Sequence, residues 1–205
     1  LRIAEEYLAA VDAGRHHQME AEMRVLRGRI LLSRGELDEA RGEARRATVF
    51  ARKTGHPYDV LPALAFGSRV AAALHDPEAG AAVDMLLAEL ASHQLLWAAL
   101  ALPDAVAAAG MLGREADLCA ILAGAPAATP WTRAALAHAD GRSEDAAAAY
   151  AAIGARPEEA SARTAAGRLL ASHGRGDEAA AHLDAANAFW RSVGAAFELQ
   201  QPAAV

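Results

Sequence analysis

An all-α fold is predicted by three features of the sequence. Of its 205 residues 54% are hydrophobic, and alanine, the best helix former, supplies about a quarter of the chain. Aromatic residues make up only 5%, and β-branched residues are scarce, so strand formers are few. Helical spacing of apolar residues alternates with short breaks from end to end, and no run alternates with period two. The length suffices for one or two packed domains. The composition excludes a disordered acidic tail, a collagenous chain and a disulfide scaffold.

Taken in order, residues 1–14 read as an orphan helix, the second helix of a truncated preceding repeat. The absence of an initiator methionine points the same way. Residues 15–195 read as about five helix pairs. Gly35, Gly141 and Gly174 fall where helices should end, because glycine enters the left-handed region without a Cβ penalty. Asp76-Pro77-Glu78 and Arg156-Pro157-Glu158-Glu159 place proline and then acid at helix starts, where the missing N–H and the negative charge are both favourable. Ser143 before Glu144 and Asp145 reads as another N-cap. Residues 196–205 read as a C-terminal tail that frays from Gln200 to Val205.

The pairs are related by an internal repeat. Gly28, Leu31, Gly35, Ala40, Ala44 and Ala47 share their spacing with Gly167, Leu170, Gly174, Ala179, Leu183 and Ala186. The offset is about 139 residues, or four periods of about 35. A third copy lies at Gly67, Val70, Ala79, Val83 and Leu86. Weaker copies follow at Val106, Ala109, Leu118, Leu122 and Ala125, then at Ala134, Ala137, Ala146, Tyr150 and Ile153. Small residues on the first helix admit the second, and the other apolar positions bury against the next pair.

This spacing resembles the tetratricopeptide repeat, most closely from Arg27-Gly28 through Gly35-Glu36-Leu37-Asp38-Glu39-Ala40 to Ala47. The resemblance implies a right-handed α-solenoid. It departs from the family at Arg24 and Arg163, where a large aromatic is usual. Leu102-Pro103-Asp104-Ala105-Val106 and Thr129-Pro130-Trp131 resemble the helical region of bacterial ATP-dependent regulators of the LuxR type. Tyr150 through Ala160 (YAAIGARPEEA) and Ala188 through Ala195 (AFWRSVGA) are similar to the C-terminal repeats of actinobacterial signalling ATPases linked to adenylate or guanylate cyclase modules. That likeness implies a sensor or scaffold at the C-terminal end of a larger ATPase or transcriptional regulator. A free-standing protein-interaction adaptor and a small-molecule or oligosaccharide sensor are the alternatives.

Function classes narrow further by chemistry. The net charge is −6, against the concentrated positive surface that nucleic acid needs, so none is expected as a partner. The most apolar stretch, Leu95 to Ala109, is broken by Pro103 and Asp104 and is too short to span a membrane. The N-terminus is not a secretion signal, so a cytoplasmic location is expected. No phosphate-binding Gly-x4-Gly-Lys-Ser/Thr loop occurs, and no cofactor is expected. Lone Cys119, flanked by Leu118, Ile121 and Leu122, reads as a buried inert thiol. His16, His17 and Glu20 could place metal-ligand types one turn apart, but two or three groups with no second cluster do not close a site. The remaining histidines are scattered and lack a positioned acid or nucleophile, so no enzyme is expected.

A binding surface is the better expectation. From Arg15 to Lys53 there are ten Arg/Lys against six Asp/Glu, including Arg41, Arg45 and Arg46. This stretch reads as a solvated face with pairs such as Glu43 with Arg46, or as an approach for an acidic partner. The repeat register puts Val25, Leu64, Pro103, Trp131 and Thr164 in one row lining a groove. Arg29 and Arg168 fall at equivalent positions near its ends, with His138 and Ser172 nearby. The candidate binding residues are therefore Arg29, Trp131, His138 and Arg168, suited to a protein or peptide with acidic groups, or to an upstream ATPase domain. The opposing reading makes both arginines intramolecular ion-pair partners and Trp131 core.

Overall fold

The computed structural model describes residues 2–15, 18–92, 99–125 and 129–200. Those residues form twelve α-helices and no strand. Helix α1 (Arg2–Asp12) is followed by five pairs: α2 (Glu20–Arg34) with α3 (Leu37–Thr54), α4 (Pro57–Ala73) with α5 (Ala79–Ser92), α6 (Leu102–Leu112) with α7 (Glu115–Ala123), α8 (Pro130–Ala139) with α9 (Ser143–Ala152), and α10 (Arg156–Ser172) with α11 (Gly176–Val193). The last helix is α12 (Ala196–Gln200), so the segment expected as a C-terminal tail is helical as far as Gln200, and its residues 201–205 lie outside the described residues.

The helix ends follow the glycine pattern. At Gly35 (φ 84°) its N–H reaches the Leu32 carbonyl at 2.9 Å, and Glu36 N–H reaches the Leu31 carbonyl at 2.9 Å. This double closure satisfies carbonyls that the last turn of α2 would otherwise leave bare. The same pair of bonds closes α8 at Gly141 and α10 at Gly174. After α4 the left-handed position falls on His75 (φ 51°), which makes the same closure with Ala72. Asp76 caps the approach to α5, its Oδ1 accepting the Glu78 N–H at 3.0 Å. The expected cap at Ser143 is not made: Arg142 holds that position, and Ser143 is the buried first residue of α9. Thr129 does cap α8, accepting the Thr132 N–H at 3.1 Å.

Packing runs from pair to pair. Helix α4 contacts α2, α3, α5 and α6, and α8 continues the row from α6, while α9, α10 and α11 pack in turn. The buried apolar residues divide into successive clusters. One joins α2, α3 and α4 through Leu32, Ala40, Ala47 and Phe66. The largest spans α4 to α8 around Leu61, Leu86, Leu102 and Leu118. Others join α8, α9 and α10 around Tyr150, and α10 with α11 around Trp190. Ala40 is fully buried, as its place in the repeat requires.

Two of the repeat glycines are set by close approach. A Cβ on Gly167 would stand 2.6 Å from Leu183 Cγ and 3.0 Å from the Ala179 carbonyl oxygen, both of the paired helix. At Gly28 it would meet the Phe66 ring, 2.6 Å from Cζ, so this glycine admits the next pair as well as its own. Gly67 is under no such pressure, since the nearest atom to its Cβ position is Thr48 Oγ1 at 3.8 Å.

In the charged stretch from Arg15 to Lys53 the expected Glu43–Arg46 pair is present, but Glu43 and Arg24 depart from the expected solvated face. Glu43 is not on a solvated face; it is 1% exposed. Its Oε1 accepts from Arg27 Nη1 at 2.6 Å and its Oε2 from Arg24 Nη1 at 3.3 Å, with Arg46 more distant at 3.6 Å. Arg24 is itself buried and donates to Glu20 and Asp12. A guanidinium is thus buried between α2 and α3, and three carboxylates balance it. Cys119 on α7 is half-buried rather than fully buried, and its thiol pKa is raised by burial.

Candidate functional site

Helices α2, α4, α6, α10 and α12 bring five charged side chains together. Asp104 sits in the first turn of α6 and is fully buried. Its Oδ2 accepts from Arg29 Nε at 2.7 Å and its Oδ1 from Arg69 Nη1 at 2.9 Å. Arg69 turns its Nη2 to Glu198 Oε1 of α12 at 2.7 Å. Its Nε is buried with no hydrogen-bond partner. Arg29 also donates through Nη2 to the Leu100 carbonyl.

Burial and neighbouring charges act on two members of this group, Arg69 and Glu158. Burial opposes the Arg69 charge, but Asp104 and Glu198 outweigh it and keep the guanidinium pKa above its usual value. Glu158 of α10 is pushed the other way: burial raises its pKa, Asp104 adds to this, and its own backbone N–H, Arg29 and Arg69 only partly compensate.

Beside the cluster lies a cleft of about 60 Å³. Pro103, Val106, His138, Tyr150, Glu158 and Trp190 line it. The His138 ring meets Tyr150 edge-on at 6.2 Å, and Trp131 meets Tyr150 at 6.2 Å, so the three aromatics form one group. Burial lowers the His138 pKa to about 4, so its ring is neutral at physiological pH. Burial raises the Tyr150 pKa, so its phenol keeps its proton. The chemistry on offer is recognition of charge and shape: paired guanidiniums beside an aromatic wall.

The sequence-predicted residues are only partly brought together. Arg29 joins the charged cluster, and His138 and Trp131 share Tyr150. Arg168 lies ten residues beyond Glu158 on α10, about 15 Å along the axis. The expected apolar row divides. Pro103 lines the cleft, but Val25 is buried core, and Leu64 and Trp131 pack against the central cluster. Arg69, Asp104, Glu158, Glu198 and Tyr150 were not singled out for the site. One signal was available: Arg69 and Asp104 are 35 residues apart, one repeat period, and Asp104 interrupts the most apolar stretch.

Among the described residues no group of three or more His, Cys, Asp or Glu side chains could hold a metal ion. His16 and His17 lie outside the described residues, as do His93 and Trp97. No described helix is long and apolar enough to cross a membrane. No protein-family model matches the chain, and no curated protein or solved structure matches it either.

Proposed function

We propose that the chain is a non-catalytic binding module, a right-handed tetratricopeptide-like array whose face along α2, α4 and α6 takes a short acidic helix with an aromatic side chain. One observation carries this reading: the protein's own α12 has that chemistry and already lies there. Phe197 packs against the α2–α4 core cluster while Glu198 meets Arg69. A single turn of helix therefore supplies an apolar anchor and a carboxylate, the pairing by which helical peptides are read. The cleft left beside it is too small for a ligand of any size, so a partner segment acts by exchanging with α12. In the setting that the sequence resemblance implies, the module is the C-terminal sensor or scaffold of a larger signalling ATPase, and the exchange is its output.

The test is a fluorescein-labelled helical peptide carrying Phe-Glu, titrated into the wild-type chain and into a Phe197→Ala/Glu198→Gln variant. Releasing α12 should tighten binding about tenfold, one decade in Kd. Absence of binding to both proteins, or equal binding to both, would defeat the reading. Arg69→Gln in the released background should abolish the gain.

A further inference from the structure

A second surface, sharing no lining residue with the cleft above, has the character of a small-molecule site. It is a groove of about 410 Å³ between α3 and α4, within the range of ligand sites. It lies where α3 and α5 pack less closely against one another than α5 and α7 do. The floor is apolar or small: Ala44, Gly67, Val70, Ala71 and Leu74. Val49, 57% exposed, forms a lip.

Two cations stand on the rim. Arg41 and Arg45 are one helical turn apart on α3, and neither makes an ion pair or hydrogen bond with the described residues. This is unlike Arg24, Arg27, Arg29, Arg46 and Arg69, each of which is matched to a carboxylate. The one acid at the groove, Asp76, is occupied at Oδ1 by the Glu78 N–H. Because α3 and α4 are joined by a short turn and run back along each other, Arg41 stands level with Leu74, and Thr48 with Gly67. From Leu74 back to Gly67 the floor runs about 10 Å, the reach of a medium-length alkyl chain.

We propose that the α3/α4 groove binds a small amphipathic carboxylate, an unbranched aliphatic acid of medium chain length. The head group is held by the Arg41 and Arg45 guanidiniums, whose planar forks suit a carboxylate, and the tail lies over Val70 and Gly67. The apolar floor supplies affinity through area removed from water, and the two cations select an anion over a neutral amphiphile.

Isothermal titration of the full chain with decanoate, kept below its micellar concentration, tests this directly. One decanoate per chain should bind, with decan-1-ol at least tenfold weaker. Arg41→Gln/Arg45→Gln should weaken decanoate at least tenfold, and these side chains have no structural partner to lose. Gly67→Leu should abolish binding by filling the groove, since a Cβ at Gly67 meets nothing closer than 3.8 Å and the fold can accept it. Failure of decanoate to bind would overturn the proposal, as would binding that decan-1-ol equals or that both variants leave unchanged. The Phe197→Ala/Glu198→Gln variant should bind decanoate normally, which separates this site from the α12 exchange.

Discussion

Arg69 and Asp104 stand one repeat period apart in sequence and 2.9 Å apart in space. Asp104 is fully buried and answers a second guanidinium, Arg29, through its other oxygen. A carboxylate in that position is the hub for two cations from different helix pairs, and its removal leaves Arg29 without its carboxylate and Arg69 with Glu198 alone. Asp104→Asn keeps the shape and removes the charge. It should cost about 3 kcal/mol, typical of breaking a buried pair from one side. Urea denaturation of the two proteins gives the value; a loss under 1 kcal/mol would mean that solvent already screens the cluster.

Close packing at Gly167 gives a second expectation. Leu183 Cγ and the Ala179 carbonyl leave no room for a side chain there. Gly167→Leu should lower stability by roughly 1–3 kcal/mol through overpacking. Gly67→Ala is the control, with ordinary contact at 3.8 Å, and should be neutral or slightly stabilising. Equal melting temperatures for wild type and Gly167→Leu would contradict the pairing of α10 with α11.

His75 occupies a left-handed turn that glycine fills at Gly35, Gly141 and Gly174. A side chain with a Cβ is strained there by about 1–2 kcal/mol, and glycine returns part of that through its freer unfolded chain. His75→Gly should therefore raise stability by about 0.5–1 kcal/mol. Thermal denaturation should show a higher Tm; a drop would mean that the imidazole makes a contribution outweighing the strain.

The buried ring of His138 makes stability depend on pH. Its pKa is about 4 in the folded chain against about 6.5 when exposed, so the unfolded state binds the proton first. Stability is full above about pH 6.5 and falls as pH drops towards 4, by as much as about 3 kcal/mol from this group. His138→Gln should flatten the denaturation midpoint against pH across that window. Glu158 works with the opposite sign, because its raised pKa means that the folded chain keeps its proton longer. The wild-type slope therefore contains both contributions, and the difference between wild type and His138→Gln isolates the histidine. Identical slopes would place the imidazole in contact with water.

The helices were legible in the sequence because their signals are local. A glycine three to five residues past an apolar run closes a helix whatever lies elsewhere, as at Gly35 and Gly174. The close crossings at Gly28, Ala40 and Gly167 were legible for a related reason: the repeat prints each one twice. The site was less so. Arg29 was found by its place in the register, but its acid lies 75 residues away, and Glu198 is 129 residues from Arg69. Nothing local to Glu43 distinguishes it from a surface acid; its burial depends on two arginines of the preceding helix. Ser143 misled because an acid-rich first turn looks the same whether serine precedes it or begins it.

Helix α12 contacts α2 as well as α11, so the two ends of the array are neighbours in space. In an ordinary repeat stack each unit feels only the next, and either end can peel away alone. Here loosening α12 strips Phe197 from the cluster that α2, α3 and α4 share, and opening α2 removes part of the surface on which Phe197 rests. Hydrogen exchange in α2 and α12 should consequently rise and fall together although they are at opposite ends of the chain. This contact joins the helices farthest apart in sequence among those that touch in the described residues, so closing it costs more chain entropy than any contact within a pair. Its formation is the moment at which a string of pairs becomes one cooperative body.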